Sequence, residues 1–396
     1  MSVPLRLIIT LGLLSGLVAA AIDMYLPAMP TLAQALGSDT GAVQQTLSMF
    51  LLGAAVSQAI FGPLADRFGR RPILLVGMSL FALASLLCTQ VVNVEQLIVL
   101  RLAQALGAAA GNVVVQALIR DLYDHDEAAR MLSFVMGVMT VIPLLAPAVG
   151  GYLLVWAGWQ SIFWCLALFG LLALLLVFYL LPETLPVEKR QPLHPAHLMR
   201  AYWHIVSHRN AMAYNLCGGF VFATMFAFIT GSPFVYIEYF GVEPQYFGYL
   251  FGANIVLMMC CNYFNARWIK RLGSERLLRI GISIHVIAAA FLLLNCLTGM
   301  AGLVGVVVPC IITVGVLGLV AANSTSAALS CFDSHGGKAS GVLGVTRMGL
   351  GGVSGGVVGL LHNGSILVMA AIMLVCAVLA WLSLMLVQAK MNAKAA

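Results

Sequence analysis

Charge is what this chain has least of. Only 9% of its 396 residues are Asp, Glu, Lys or Arg and 62% are hydrophobic, where a soluble globular domain carries about 25% charged residues. With a mean hydropathy of +1.01, a water-soluble fold is excluded. Acid is scarcer than base, with 14 Asp and Glu against 20 Lys and Arg. No G-x-x-x-x-G-K-[ST] segment occurs, so the phosphate-cradling loop of a nucleotide-driven pump is missing. No polar stretch is long enough to fold as a separate soluble domain. Metal-ligand spacing is also lacking: the nine Cys stand mostly in apolar helix text and read as buried free thiols. Four His between residues 182 and 208 (His194, His197, His204, His208) are irregularly spaced and read as solvated. No metal, cofactor or nucleic acid is expected.

What the chain does have is apolar runs of membrane-spanning length, about 20 residues each. Twelve can be marked: 5–26, 43–62, 72–91, 96–118, 131–155, 160–181, 210–230, 246–266, 277–297, 301–329, 340–361 and 364–387. Eighteen of the 20 Lys and Arg lie in the tails or in the loops after even-numbered runs, and the remaining two, Arg101 and Arg347, are inside runs. Basic loops stay in the cytoplasm, so both termini are expected there, and the net charge of +6 follows from that asymmetry. The first run imitates a signal peptide, with Arg6 before it and Ala19-Ala20-Ala21 near its end, but the apolar text continues past that point and retention is expected.

Every carboxylate but one falls in a loop or at the rim of a run. The exception is Asp23, in Ala21-Ile22-Asp23-Met24-Tyr25-Leu26-Pro27. An Asp at the centre of a membrane helix costs roughly 2.5 to 3.5 kcal/mol on insertion scales, so it marks an ion path or binding site. The first run goes outward and the fourth inward, which places Asp23 and Arg101 at similar depth in the outer half of the membrane. At about 4 Å such a pair attracts by roughly 4 kcal/mol at an effective dielectric of 20, and an ion pair is expected. Burial and the neighbouring cation act in opposite senses on the proton of Asp23, and displacing Arg101 favours protonation.

Gln104, Asn112 and Gln116 share the face of Arg101, at angles of about 0°, 300°, 20° and 60° around the fourth helix. A polar stripe on an apolar helix faces a cavity or another helix, so interhelical hydrogen bonding and substrate contact are both open for Asn112 and Gln116. Gly12, Gly16 and Ala19 lie at i, i+4 and i+7 below Asp23, and tight helix approach is the plainer reading. The seventh run is aromatic (Tyr214, Phe220, Phe222, Phe226, Phe228), and the expected loop after it adds Phe234, Tyr236 and Tyr239. Lipid or core packing is the usual fate of such rings, yet a flat apolar ligand would need some of them. Arg347 has no obvious acidic partner, and snorkelling and substrate contact stand as equals. His285, alone in its run, reads as a core residue.

The loop after the second run reads Gly62-Pro63-Leu64-Ala65-Asp66-Arg67-Phe68-Gly69-Arg70-Arg71-Pro72. Gly62 would allow close helix approach, Gly69 a tight turn, and the charges can pair at the cytoplasmic rim. This stretch resembles the signature loop of the major facilitator superfamily, G-x-x-x-D-R-x-G-R-R, without a gap. Arg101-Leu102-Ala103-Gln104-Ala105-Leu106-Gly107 resembles the family's R-x-x-Q-G-x-G, and Pro143, Ala146-Pro147 and Gly150-Gly151 resemble the helix-packing G-P-x-x-G-G of its antiporters. Ala105 and Ala146 stand where Gly is usual. The Ile22–Pro30 stretch, Arg120-Asp121-Leu122-Tyr123 and Pro233–Glu238 look like the bicyclomycin and chloramphenicol resistance (Bcr/CflA) group.

The resemblance implies an all-α polytopic fold of twelve transmembrane helices in two pseudo-symmetric six-helix bundles. Internal repetition points the same way: Arg67-Phe68-Gly69 falls on Arg271-Leu272-Gly273 at an offset of 204, and Gly150-Gly151 on Gly355-Gly356 at 205. The bundles are expected at 1–181 and 209–396, joined by a cytoplasmic linker at 182–208. By the same resemblance, Gly62, Asp66, Arg67, Gly69, Arg70 and Asp121 form a conformational latch, and the protein exports small apolar antimicrobials in exchange for protons by alternating access. Asp23 and Arg101 would carry the proton. Asp23, Tyr25, Gln104, Asn112, Gln116, Phe226 and Arg347 would meet the substrate. The implied location is a bacterial inner membrane, the partners are drug, protons and lipid, and a monomer is expected. A metabolite transporter is the alternative. A membrane enzyme or receptor would need converging catalytic or ligating groups, and none is seen.

Overall fold

Runs of about 20 apolar residues can satisfy their backbone in lipid only as helices or closed barrels, and here they are helices. The computed structural model describes residues 5–190, 202–299, 301–332 and 336–395, and every regular element among them is helical. Twelve helices are long and apolar enough to cross a bilayer: Arg6–Ala35, Thr40–Phe68, Arg70–Cys88, Val94–Leu122, Arg130–Ala157, Gln160–Leu180, Arg209–Tyr239, Pro244–Leu272, Ser274–Thr298, Gly302–Leu329, Ala339–Leu360 and Leu367–Val387. They are called spans one to twelve below. Polar residues at the helix starts fix some boundaries. Asp39 accepts from the Ala42 amide at 2.7 Å, and Asn93 from the Gln96 amide at 2.9 Å, each capping orphan donors of the helix that follows.

The first and seventh spans depart most from the expected runs, and spans two and eight also run six residues past theirs, so that Gly62–Phe68, expected in a loop, is helical and only Gly69 stands between spans two and three. Span one runs on past residue 26: a helix Leu5–Asp23, a turn, a 3-10 turn Leu26–Ala28 and a helix Met29–Ala35. Pro27 and Pro30 stand in the first turns of these short helices, where a missing N–H costs nothing, so the chain can break and restart. Span seven likewise passes Pro233 into a π-helical turn, Phe234–Tyr239. Phe234, Tyr236 and Tyr239 are therefore helical, and the expected loop there is corrected. A hydropathy window ends where Pro, Glu and Tyr enter the text, although the helix goes on. Pro27 and Pro233 are related by an offset of 206, so both halves of the chain open on a broken helix.

The chain divides into two compact units, Met1–His194 with Glu243–Gly248, and Pro195–Val242 with Tyr249–Ala396. Of the stretch 182–208, Glu183 and Thr184 bond residues of the first unit, whereas Ile205 is buried against Ala339 and Val342 of the second. His194 and His197 lie outside the described residues. Backbone-close packing knits the first unit. A Cβ on Gly107 would meet the Gly77 carbonyl at 2.5 Å and the Phe81 amide at 2.6 Å, and one on Gly111 the Leu14 carbonyl at 2.6 Å. Where Ala105 replaces the usual glycine, the missing space is supplied opposite, by Gly53 of span two, whose Cβ would lie 3.0 Å from that of Ala105. Gly62 is different: an added Cβ would meet only Val113 Cγ1, at 3.8 Å, an ordinary contact, so the close approach expected there is not made.

Candidate functional site

Asp23 is the last residue of the first helix of span one, at the break, and only 4% exposed. The break is held from span five. A Cβ on Gly150 would stand 2.0 Å from the Met24 carbonyl oxygen, so only glycine lets that helix lie against the turn. Gly16 and Gly12 seat Ile142 and Val138 of the same span about two and three turns lower, which is the tight approach expected of that stripe. Gly151 faces the backbone of Pro244 and Gln245, within the same compact unit. Pro143 and Pro147 lie inside the continuous helix His125–Ala157.

Arg101 reaches the depth expected of it, but not the partner. Its Nη1 donates to the Ala21 carbonyl at 3.0 Å, two residues before Asp23, and to Gln104 Oε1 at 2.5 Å. The guanidinium lies 4.5 Å from the Tyr25 ring centroid and 4.4 Å from that of Phe50, and the residue is fully buried. Asp23 makes no ion pair or hydrogen bond with any described residue. The expected Asp23–Arg101 pair is therefore absent from this structure. Two aromatic faces and two oxygen acceptors compete for the same cation, each desolvated cation–π contact contributing up to about 2 kcal/mol. An ionised Asp23 would have no countercharge and no donor among the described residues, an arrangement that costs several kcal/mol.

The remaining members of the expected site separate into sealed and open groups. Gln104 is buried and passes the Arg101 contact on, donating to Ser85 Oγ at 2.8 Å. Tyr25 is buried and its hydroxyl sits 2.8 Å from Thr46 Oγ1, whose own proton goes to the Val43 carbonyl. Phe226 is buried against Gly351 and pairs with Phe222 at 4.9 Å. These three are spent on protein contacts. Farther along span four, Asn112 is half-buried and Gln116 exposed, so the polar stripe is closed at one end and open at the other. Its angles were readable from spacing, but the rings that close its upper end come from other helices.

In the second unit Arg347 does not snorkel free. Nη1 donates to Thr325 Oγ1 at 2.8 Å and Nη2 to Ser324 Oγ at 3.2 Å. His285 ties three spans together, Nδ1 lying 2.9 Å from the Thr313 carbonyl and Nε2 3.2 Å from Thr224 Oγ1. All nine cysteines are free. Cys88, Cys217, Cys310 and Cys376 are buried, and Cys260 is exposed, which corrects the expectation of uniform burial.

At the end of span two, Gly69 takes φ +104° and its repeat mate Gly273 +79°, backbone that disfavours any Cβ. Arg70 joins Asp66 (Nη1 to Oδ1, 2.6 Å) and Asp121 (Nε to Oδ2, 3.1 Å). Arg67 instead lies over Phe68. A residue not anticipated completes the cluster. Glu183 accepts from the amides of Arg70 at 2.9 Å and Arg71 at 3.3 Å, capping span three at its positive end. Thr184 Oγ1 adds a bond to Asp121 at 3.3 Å. The only signal was an acid following Pro182 just past the end of span six, 113 residues from its partner.

A sequence profile of the Major Facilitator Superfamily matches residues 11–356. The chain belongs to this superfamily. Within it, the chain is 34% identical over 351 residues to a "bicyclomycin resistance protein homolog" of Haemophilus influenzae, covering 89% of this chain and 88% of that one. It is 30% identical over 347 residues to a "chloramphenicol resistance protein" of Pseudomonas aeruginosa, covering 87% and 80%. These matches place it with the Bcr/CflA group of the superfamily. A crystal structure of a D-xylose-proton symporter superposes with a TM-score of 0.72 at 15% identity over 95% of this chain and 96% of that one, a likeness of fold alone. This facilitator is thus a multi-pass transporter.

Proposed function

We propose that this facilitator exports small, mostly apolar antimicrobials of the bicyclomycin or phenicol type in exchange for protons, by alternating access in a bacterial inner membrane with both termini cytoplasmic. The observation that carries the reading is Asp23: a buried carboxylate at a helix break, without a partner among the described residues, two residues past the Ala21 carbonyl that holds an already committed cation. Such a group takes a proton when nothing else neutralises it, and releases it when Arg101 or water reaches it. Resistance proteins among the relatives support this choice of substrate class. Asn112 and Gln116 in the first unit and Arg347 in the second are the proposed substrate contacts with surface to offer, and Tyr25, Gln104 and Phe226 are buried within their own units. Expression in an efflux-deficient bacterium is expected to raise the inhibitory concentration of bicyclomycin or a phenicol severalfold, and a protonophore to erase the gain. Unchanged sensitivity across such a panel would favour the metabolite-transporter reading.

The Arg70 cluster serves in this scheme as a conformational latch rather than as part of the binding site. Asp66→Asn weakens the shorter of the two Arg70 ion pairs while leaving Asp121 in place. It is expected to lower the transport rate a few-fold and leave drug affinity in detergent within about threefold, since exposed pairs contribute only about 0.2 to 1 kcal/mol. A tenfold loss of affinity would show that this loop shapes the site itself.

A further inference from the structure

Two arginines, Arg101 and Arg347, lie inside spans well away from the ends, and their surroundings differ in kind. Arg101 is fully buried, clamped between two rings and bonded to a carbonyl and an amide oxygen. Arg347, near the middle of the helix Gly336–Leu360, has no aromatic face and no carboxylate among the described residues. Its two contacts are hydroxyls, and both already give their protons to the Ala321 carbonyl (Thr325 at 2.6 Å, Ser324 at 3.2 Å), so toward Arg347 they act as acceptors only. The buried Nε–H has no acceptor at all. The residue as a whole is half-buried.

Span seven shapes the place where this cation rests. A Cβ on Gly218 would intrude on Ser324 Oγ and come within 2.8 Å of Arg347 Nη2, and one on Gly219 would lie 3.8 Å from Arg347 Cγ. Glycine at 218 therefore lets the guanidinium lie against the backbone of span seven, with Ser324 and Thr325 holding one edge. The second half of the chain, residues 209–396, contains four carboxylates (Glu238, Glu243, Glu275, Asp333), all outside the spans or at a rim, and Glu275 is paired with Arg279. No counterion is thus built into the helix interior for Arg347. Desolvating a cation without one is costly, and the cost is recovered when an anion arrives.

Resting on the reading of this chain as an exporter, we infer that Arg347, with Ser324, Thr325 and Gly218, forms an anion-receiving subsite. The carried compounds include monoanions, chiefly carboxylates, whose charged end pairs with the guanidinium. Arginine suits this better than lysine, because its planar fork meets both oxygens of a carboxylate. Exchange of a monoanion outward for one proton inward would then carry two elementary charges inward per cycle.

The test uses the full chain in detergent and the isosteric probes benzoate and benzamide, titrated calorimetrically. The parent is expected to bind benzoate at least tenfold more tightly than benzamide. Arg347→Gln should bring the ratio near one, and Arg347→Lys, which keeps the charge without the fork, should fall between. If Arg347→Gln does not purify as a monodisperse protein, the lysine variant decides, since an undiminished ratio there excludes recognition by the fork. A parent that prefers neither probe, or a preference that survives Arg347→Gln, overturns the subsite. Proton-driven chloramphenicol flux by the parent is measured on the same preparation. Its absence would count against the export reading, while the titration judges the subsite directly.

Discussion

Asp23→Asn is expected to reduce proton-driven uphill export to the level of protein-free vesicles, while leaving drug binding and downhill movement of a neutral compound measurable. Asparagine keeps the size and polarity of a protonated aspartic acid but cannot release a proton, so it fixes the site in one of its two states. The effect should be large because Asp23 is the only carboxylate held inside a span away from the rim, and no described residue shares its charge. The driving force follows from charge: each net elementary charge moved is worth about 2.3 kcal/mol per 100 mV. A neutral drug exchanged for one proton should respond to both voltage and pH gradient, and a monovalent cation to the pH gradient alone. Flux into proteoliposomes with the two gradients imposed separately measures both terms. Proton-coupled accumulation by Asp23→Asn at the parent's rate would move the proton site elsewhere.

Arg101→Ala is the second large effect, and it acts on folding as well as on transport. The substitution empties a fully buried site, removing two cation–π contacts of up to about 2 kcal/mol each and hydrogen bonds to a charged donor of about 1.5 to 3 kcal/mol each. It also leaves Gln104 and the Ala21 carbonyl without their common partner. Set against a typical total stability of about 5 to 15 kcal/mol, the loss is a large fraction. The monodisperse yield in detergent should fall sharply, and export should drop at least tenfold at every working pH. Arg101→Lys should not rescue it, since an ammonium lacks the plane that stacks between Tyr25 and Phe50. An alanine variant that exports as well as the parent across the pH range would show that the cation has no part in coupling.

The spans were legible because each is an apolar run of bilayer length, and the depth of Arg101 was legible because alternate spans run in opposite directions. Its partner was not. Spacing along span four says where the side chain starts, but the acceptors that hold it come from Ala21 and from rings at residues 25 and 50, and a hydropathy reading gives rings no claim on a cation. The ends of spans one and seven were missed for a related reason. Pro27 and Pro233 look like terminators in sequence, whereas one continues into a 3-10 turn and the other into a π turn. Glu183 was hidden by distance, since nothing in the text after span six says that its carboxylate closes on the start of span three. Gly62 shows the opposite error. A motif glycine invites a packing explanation that the open space around it does not support.

With Asp23 as the proton's stop, as proposed, the break in span one also divides the membrane field on either side of it. From Arg6 to Asp23 the helix rises about 26 Å, at about 1.5 Å per residue, and the hydrocarbon core is about 30 Å thick. With the amino terminus in the cytoplasm, as proposed, Asp23 stands past the midpoint of span one, with twelve residues of the span still beyond it. A proton loading from outside would then cross the smaller share of the field, and the larger share of its charge movement would belong to release toward the cytoplasm. Voltage should then act more on the unloading rate than on the apparent affinity for external protons.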